Sequence, residues 1–368
     1  MGKNVVIHVG MGKALSSFLQ SRVFPYISNC KNAREGQNPI KSASLTIINE
    51  CFHNFDIEEL RQKVNKYISQ IDEESVLVSE EWFEGHVNAD FRDKKSIAEA
   101  LHTLFPNGKI LIVVRRQDKW LESLYKQMIS YGYSMSFRSF INYRKGRFLP
   151  WRSRAFPNIQ VDQISILNLV NLYHSQFGAE NVKVIPFELF LRDKEKFLNE
   201  IYEFFELEPY YPPRYKVINP SVSNGWIYFM RVVNRFLIRP YNSLGFIPSP
   251  EKPLETPPAK FCRCRRVKYR DQWKATHGQV VNEGFGRNFL RCRVFNKDYL
   301  LSKWWSTFEK FFSTLSLEKI LLLVDKVVKV KVPILTEEMS REIMKVHAED
   351  NRELSSKIGY DLKEYGYH

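Results

Sequence analysis

Short apolar runs alternate with amphipathic segments through the first half of this 368-residue chain. The runs at residues 3–9, 75–79 and 109–114 place Val, Ile and Leu at successive positions, as in strands that are buried on both faces. A fourth such run covers residues 181–187. Segments with apolar residues at helical spacing follow these runs. The alternation predicts an α/β fold with a mostly parallel central sheet covered by helices on both faces.

Helix terminators separate the predicted elements. Pro106-Asn107-Gly108 ends one amphipathic segment, and Gly178 ends another. Besides a helical pattern that starts at Ser16, the sequence predicts helices over 93–105, 118–131, 163–177 and 193–205, and a further helix near 226–237.

The second half of the chain differs in composition. Six prolines between residues 239 and 258 predict a loop or linker, and a basic, aromatic segment follows it. The predicted organisation has three parts. These are an α/β core over residues 1–210, a mostly helical, basic insertion over 211–335, and a C-terminal segment over 336–368 that packs back on the core.

The turn after the first strand reads Gly10-Met11-Gly12-Lys13-Ala14-Leu15-Ser16-Ser17. Small residues let backbone amides turn toward an anion, the helix start adds partial positive charge, and Lys13 adds a full charge. The Ser16 and Ser17 hydroxyls are further donors to the same phosphate. The loop is not a Walker A sequence, because one residue separates its glycines and no Gly-Lys-Ser/Thr follows. A tight turn without a ligand is the alternative.

A second candidate site lies where the clearest central strand ends. Arg115 follows that strand, and Ser123 comes eight residues later on the next predicted helix. Ligands of open α/β sheets bind at the carboxyl ends of the strands, and a guanidinium with a neutral hydroxyl suits a second phosphate. The neighbouring Arg116, Asp118 and Lys119 are predicted to be a solvated helix start.

The two motifs together resemble the sulfotransferases that use 3′-phosphoadenosine 5′-phosphosulfate (PAPS), in particular bacterial carbohydrate-type members. In that family a Lys followed by Ser or Thr binds the 5′-phosphosulfate, and an Arg with a Ser eight residues on binds the 3′-phosphate. The resemblance covers roughly residues 3–210 and 336–368. It implies a P-loop-like sheet, PAPS as the donor substrate and no metal. The implied cofactor-binding residues are Gly10, Gly12, Lys13, Ala14, Ser16, Ser17, Phe18, Arg115 and Ser123.

One departure from the family lies in the loop, where Ala14-Leu15 replaces the usual Thr-Gly. Leu15 puts a side chain where the backbone usually approaches the phosphate. A reshaped loop, weaker cofactor affinity and a lost activity are the three consequences open at this point.

Sulfuryl transfer is an in-line displacement, close in logic to phosphoryl transfer. Lys13 and the loop amides would stabilise the charge on the leaving phosphate oxygen. The acceptor hydroxyl needs a general base, and the acidic segment after the second strand supplies the candidates. Glu81 is the first candidate for the base, because Ser-x-Glu at the end of this strand resembles the bacterial members. Glu80 is the second candidate and His86 is the third. The alternative is that these groups only bind the acceptor or solvate a helix start. His8, within the first strand, is predicted to be a core histidine.

The net charge is +14, from 55 Lys and Arg against 41 Asp and Glu, which implies an anionic partner. Residues 252–303 alone hold thirteen Lys and Arg and four Asp and Glu, a net charge of +9. This basic segment is predicted to bind a carbohydrate or lipid-linked acceptor, to contact an anionic membrane surface through residues 260–305, or to be a solvated face. Nucleic acid is not expected, because no recognised nucleic-acid fold surrounds it.

The sequence predicts a cytoplasmic protein, with peripheral association at the inner face of the membrane as an extension. The first apolar run is too short for a signal peptide, and no apolar stretch reaches the ~20 residues of a membrane span. The five cysteines do not resemble a disulfide scaffold, and no His pair at zinc spacing accompanies Cys262, Cys264 and Cys292.

The predicted reaction moves a sulfuryl group from PAPS to a hydroxyl of a carbohydrate or glycolipid acceptor. A nucleotide-dependent phosphotransferase is one alternative, although the missing Gly-Lys-Ser/Thr counts against it. A catalytically silent, polyanion-binding module on the same fold is another, and Leu15 is the residue that favours it.

Overall fold

The computed structural model describes residues 3–49, 56–87, 91–149, 159–215, 223–238, 247–248 and 333–368. These residues belong to two compact units. The first comprises Met1–Tyr125, Phe137–Ser221 and Leu335–His368, and the second comprises Lys126–Ser136 and Val222–Ile334. Three parts of the sequence lie outside the described residues. They are the basic segment at 260–305, the proline-rich stretch at 239–258 apart from residues 247 and 248, and every cysteine except Cys30. The three-part organisation stays a prediction.

A five-stranded, all-parallel sheet forms the centre of the first unit. Its strands are β1 (Asn4–Val9), β2 (Cys30–Asn32), β3 (Ser75–Glu80), β4 (Lys109–Val114) and β5 (Val182–Pro186). Their order across the sheet is β2-β3-β1-β4-β5. The central strands are rich in β-branched residues and almost completely buried, as expected for a sheet flanked by helices. The predicted α/β fold is confirmed.

The longer helices are α1 (Pro39–Asn49), α2 (Ile57–Ile68), α3 (Lys94–Leu104), α4 (Gln117–Ser130), α5 (Ile166–Phe177), α6 (Lys194–Phe205), α7 (Asn224–Phe236), α8 (Glu337–Val346) and α9 (Ala348–Ile358). Polar residues begin several of them. Ser165 accepts a hydrogen bond from the backbone N–H of Asn168 (3.1 Å) and caps α5, and Asp193 accepts one from that of Lys196 (2.9 Å) and caps α6. Gly178, with φ of 84°, ends α5 as predicted.

Shorter elements connect these helices and strands. A one-turn helix at Ser16–Phe18 continues as a π-helical turn at Leu19–Val23. Two further short helices cover Phe137–Phe140 and Phe187–Arg192. The short strand pairs are Tyr143–Arg144 with Arg147–Phe148, and Leu237–Ile238 with Ile247–Pro248.

No element is predicted from the sequence between residues 24 and 74, yet the structure contains β2, α1 and α2 there. Strand β2 has three residues, too few for an apolar period to show. Helix α2 buries one side chain completely, Val64, and is capped by Asp56, which accepts hydrogen bonds from the backbone N–H groups of Glu58 and Glu59. The apolar stripe of α2 is therefore too narrow to stand out in the sequence.

The parallel sheet brings the carboxyl ends of its strands to one edge. Val9 at the end of β1 lies beside Glu80 at the end of β3, and β4 borders the other side of β1. The chain leaves β1 toward β2 and β3, and it leaves β4 toward β5 on the opposite side. The loops after β1 and β4 therefore diverge, which creates the crevice where open α/β sheets bind ligands.

The start of helix α4 differs from its prediction as a solvated segment. The Asp118 side chain is fully buried, where its two oxygens accept hydrogen bonds from the Arg116 guanidinium (3.1 and 2.8 Å). The hydroxyl of Ser340 on α8 also donates to Asp118 (2.7 Å). The prediction is wrong for Asp118, because the C-terminal segment covers this side chain.

The described part of the second unit centres on helix α7. The fully buried Asn234 donates hydrogen bonds to the backbone carbonyls of Ile129 (2.7 Å) and Tyr133 (2.9 Å). These bonds tie the helix to residues 126–136 of the same unit. No helix among the described residues of either unit is long and apolar enough to cross a membrane.

Candidate functional site

The loop after β1 is held by side chains from the loops of neighbouring strands. Its Gly12 N–H donates to the carboxylate of Glu84 (2.8 Å), and its Gly12 carbonyl accepts the indole N–H of Trp120 (2.7 Å). The carbonyl of Lys13 accepts a hydrogen bond from Arg115 Nη1 (2.7 Å). The conformation of the loop therefore depends on residues distant in the sequence.

Gly10 is required by close packing at the end of β1. Its N–H donates to the carbonyl of Glu80 (3.1 Å). A Cβ atom at this position would lie 2.9 Å from Ser16 Oγ and 3.1 Å from the Cα atom of Glu81. Any side chain here would therefore push the loop away from the residue that the sequence favours as general base.

Two residues of the loop have left-handed backbone conformations, Lys13 with φ of 66° and Leu15 with φ of 74°. For a residue other than glycine this conformation costs about 1–2 kcal/mol. Leu15 stands where the family that this sequence resembles usually has glycine, the residue that adopts this conformation most readily. The backbone at this position therefore has a conformation that suits glycine, and Leu15 bears the strain.

Three of the predicted cofactor-binding side chains face the protein interior. Ala14 is fully buried, and its N–H donates to the Met11 carbonyl (3.0 Å). The buried hydroxyl of Ser16 lies 3.4 Å from the same carbonyl. Phe18 packs against Phe190, with ring centroids 5.0 Å apart. These side chains shape the loop from behind rather than facing a ligand.

The hydroxyls of Ser17 and Ser123 are placed differently. Both residues are half-exposed, and within the described part of the chain neither hydroxyl has a hydrogen-bond partner. Ser17 lies in the one-turn helix after the loop, and Ser123 lies on α4. Both hydroxyls are thus partly exposed, and their role in binding a ligand stays a prediction.

Arg115 is the best-defined cation of the site. Its guanidinium donates to the Lys13 carbonyl and lies over the ring of Phe187, 4.9 Å from the centroid. The Nε atom of Arg115 is buried and has no acceptor among the described residues. A buried N–H of a charged group without an acceptor is unfavourable, so this atom fits an anionic ligand.

Lys13, Glu81 and Arg115 come from three different loops and lie within electrostatic reach of one another. Burial lowers the pKa of the Lys13 ammonium, the carboxylate of Glu81 opposes that shift, and Arg115 adds to it. The structure therefore assembles the residues that the separate motifs predict into one cluster. In the described residues, no group of His, Cys, Asp and Glu side chains is suited to hold a metal ion.

The three candidate bases differ in how they are engaged. Glu80 forms an ion pair with Arg34 (3.2 Å). His86 is bound to Asp93, which accepts hydrogen bonds from its backbone N–H (2.9 Å) and pairs with its Nδ1 atom. The carboxylate of Glu81 makes no hydrogen bond or ion pair with any residue that the structure describes. Glu81 is therefore the candidate that remains available to an acceptor hydroxyl.

Glu84 is a residue of the site that was not predicted from the sequence. Burial raises the pKa of the Glu84 carboxyl well above its ordinary value. The hydrogen bond from the Gly12 N–H opposes this upward shift, and the charge of Glu81 adds to the shift. Glu84 lies one helical turn beyond Glu81, but nothing in its sequence position indicated a contact with the first loop. Pairing of β1 with β3 brings it there.

His8 lies behind the site, as the sequence predicts for a core residue. It is fully buried, and its Nδ1 atom is 2.7 Å from the hydroxyl of Ser79. Burial, with a smaller effect of Arg34, lowers the pKa of His8 to about 3, so the ring is uncharged at neutral pH. Ser79 also accepts a hydrogen bond from Gln20 (3.0 Å), so its hydroxyl supports the interior of the fold.

Comparisons with known proteins give a limited result. No family model matches the sequence, and no curated protein matches it. Among solved structures, the chain is similar to a sulfotransferase from Alicyclobacillus acidocaldarius, with a TM-score of 0.40 and 16% sequence identity over 64% of this chain and 94% of that one. This similarity is too low to transfer a function.

Proposed function

We propose that this chain is a sulfotransferase that moves a sulfuryl group from PAPS to a hydroxyl of a carbohydrate or glycolipid acceptor. The observation that carries the proposal is the contact between Arg115 and the backbone of Lys13 (2.7 Å). It joins the loop after β1 to the loop after β4, and it leaves Arg115 Nε without an acceptor among the described residues. Two cations from two strand ends suit a nucleotide with two separate phosphate groups.

The donor would be held by residues of both loops. Lys13 and the backbone amides at the start of the short helix would bind the 5′-phosphosulfate, and Arg115 with Ser123 would bind the 3′-phosphate. The donor supplies the sulfuryl group and a phosphate leaving group. Lys13 stabilises negative charge that develops on the leaving oxygen, because its ammonium lies at the loop from which that phosphate is bound.

The acceptor is proposed to bind beside Glu81. The carboxylate of Glu81, which has no hydrogen-bond or ion-pair partner among the described residues, takes the proton from the attacking hydroxyl. The next residue, Trp82, exposes 41% of its surface, and its ring stacks on that of His86 with centroids 4.9 Å apart. This braced, exposed ring offers a flat apolar surface next to the base, which suits a sugar ring.

Binding of adenosine 3′,5′-bisphosphate, measured by titration calorimetry, tests the donor site. We expect the wild-type chain to bind it and both Lys13→Ala and Arg115→Ala to lose most of the affinity. Lys63→Ala, an exposed lysine on α2 that pairs with Glu59, is the control that should bind normally. If the wild-type chain does not bind this nucleotide, the sulfotransferase proposal is wrong.

Transfer of labelled sulfate from PAPS to pools of glycan and lipid acceptors tests the reaction itself. Labelling identifies the acceptor class. A chain that binds the nucleotide but labels no acceptor would instead be a catalytically silent binding module, the candidate that the strained Leu15 favours. Preferential binding of ATP would support a phosphotransferase.

The basic segment at 260–305 is proposed to contact the anionic acceptor or an anionic membrane surface from the cytoplasmic side. Co-sedimentation with vesicles that contain anionic lipid, compared with neutral vesicles, tests the membrane contact. Equal sedimentation with both would reject it.

A further inference from the structure

The carboxylate of Glu188 lies near Arg115 without pairing to it. Burial lowers the pKa of Arg115, and the charge of Glu188 is the largest influence that opposes this shift. Yet within the described residues no hydrogen bond or ion pair joins the two side chains, and Arg115 Nε has no acceptor. A guanidinium and a carboxylate that could reach each other would form a strong charge-assisted pair. The contacts that Glu188 makes instead are therefore of interest.

Two donors occupy the oxygens of the Glu188 carboxylate. The backbone N–H of Arg116 donates to Oε1 (3.2 Å), and the hydroxyl of Tyr367 donates to Oε2 (2.9 Å). Tyr367 is 2% exposed, so its ring has little freedom to move. The carboxylate is thus fixed between the peptide after Arg115 and the C-terminal end of the chain.

The position of Tyr367 does not depend on its own hydroxyl. Its backbone N–H donates to the Leu362 carbonyl (3.0 Å). The preceding Gly366 has φ of 84°, and a Cβ atom there would lie 2.6 Å from Arg116 Nη1. Farther back, the buried side chains of Asn351 and Gln117 join the C-terminal segment to α4 (2.7 Å). Removal of the hydroxyl should therefore leave the ring in place.

We propose that Tyr367 is a positioning residue for the donor site, whose hydroxyl holds Glu188 away from Arg115 and so leaves Arg115 Nε to the 3′-phosphate of the donor. This inference rests on the proposed function. Without the hydroxyl, Glu188 Oε2 loses the donor that fixes it, and the carboxylate competes with the phosphate for the guanidinium. The C-terminal segment thereby acts on the nucleotide through two intermediate side chains.

The test compares two nucleotides that differ in the 3′-phosphate. Calorimetry on the full chain measures Kd for adenosine 3′,5′-bisphosphate and for adenosine 5′-monophosphate, and the ratio of the two gives the preference for the 3′-phosphate. Tyr367→Phe removes only the hydroxyl. We expect this preference to fall about tenfold, as for loss of one hydrogen bond to a charged group, with the affinity for the monophosphate unchanged.

Two further variants separate positioning from a merely structural role. Tyr365→Phe removes a hydroxyl from the same segment, where the ring lies over Arg192, and should leave the preference unchanged. The double variant Tyr367→Phe/Glu188→Gln should restore the preference, because a neutral amide does not compete with phosphate for Arg115. Damage to the packing of the segment would not be restored in this way.

The outcomes distinguish the inference from the proposed function. A wild-type chain that binds neither nucleotide overturns both. If the wild type prefers the bisphosphate and Tyr367→Phe keeps that preference, or loses affinity for both nucleotides equally, the inference is wrong and the proposed function stands. If Tyr367→Phe does not fold, Glu188→Gln alone decides the matter. Because the inference keeps Glu188 out of contact with Arg115 while the Tyr367 hydroxyl is present, the preference should stay within about twofold of the wild-type value. A large rise, which would show that Glu188 competes despite the hydroxyl, or a large fall overturns the inference.

Discussion

Replacement of Arg115 by lysine gives a sharp test of the donor site. Arg115 uses one nitrogen on the Lys13 carbonyl (2.7 Å) and keeps Nε without an acceptor in the described structure. A lysine retains the positive charge but has a single nitrogen on a flexible stem. It therefore cannot place one nitrogen on the loop and another on a phosphate, as the guanidinium can.

The expected loss follows from these contacts. One charge-assisted hydrogen bond to the 3′-phosphate disappears, which is worth about 1.5–3 kcal/mol and corresponds to a roughly 10- to 150-fold weaker Kd for adenosine 3′,5′-bisphosphate. The contact of the guanidinium with the Phe187 ring (4.9 Å to the centroid) is also weakened, and this should lower the folding stability by about 0.5–2 kcal/mol. Adenosine 5′-monophosphate has no 3′-phosphate and should lose much less affinity.

Calorimetry with both nucleotides, at a temperature where each variant is folded, measures these effects. Arg116→Lys is a matched control, because the Arg116 guanidinium is bound to Asp118 and not to the loop. This control should lose stability but keep the preference for the 3′-phosphate.

Two results would refute the reasoning. Equal losses for both nucleotides in Arg115→Lys would show that Arg115 only holds the loop. No loss for either nucleotide would show that the 3′-phosphate binds elsewhere, and the crevice between β1 and β4 would no longer be the donor site.

Three further predictions concern the loop and its neighbours. Glu81→Gln should lower kcat by at least about 100-fold with little change in donor Kd, as expected for loss of a general base. The control Glu80→Gln loses the ion pair with Arg34 and should mainly lower the folding stability. Glu84→Gln keeps an acceptor for the Gly12 N–H but cannot ionise. Burial raises the pKa of Glu84. The wild type should therefore lose stability as pH rises from the ordinary pKa of about 4.3 to the raised pKa, by up to about 1.4 kcal/mol per pH unit. Urea unfolding should show that the stability advantage of Glu84→Gln grows over that range. Leu15→Gly should raise the unfolding free energy by up to about 1 kcal/mol, because glycine adopts φ of 74° without strain, whereas Leu45→Gly in helix α1 should lower it.

Each of these predictions has a result that contradicts it. Unchanged kcat in Glu81→Gln removes this residue as the base. A stability difference between Glu84→Gln and the wild type that stays constant with pH shows that Glu84 does not titrate as a buried group. A less stable Leu15→Gly chain shows that packing of the leucine side chain outweighs its backbone strain.

Much of the fold could be predicted from local pattern. The apolar runs that became β1, β3, β4 and β5 are continuous and β-branched, and the terminators Gly108 and Gly178 fall at element ends, so these boundaries agree within about three residues. The three-residue strand β2 and the polar helix α2 could not be predicted. Their stability comes from pairing and packing with distant segments rather than from their own residues.

Several residues of the candidate site could likewise be predicted from the sequence, whereas the contacts between them could not. Gly10, Lys13, Arg115 and Glu81 could be predicted because each stands within a few residues of the end of a predicted strand. Their partners were not found, because a contact such as that between Gly12 and Glu84 joins residues 72 positions apart.

The sequence by itself determined the alternating pattern that gives a parallel sheet, and with it the edge at which the candidate residues gather. Only the tertiary structure decided which of them remain available to a ligand. Arg34 engages Glu80 and Asp93 engages His86, which leaves Glu81 free among the described residues. Tyr367 in the C-terminal segment donates a hydrogen bond to Glu188, whose charge acts on the arginine after β4. Local periodicity follows from backbone geometry and is visible in a few consecutive residues, whereas the pairing of charged side chains depends on distances that exist only after the chain has folded.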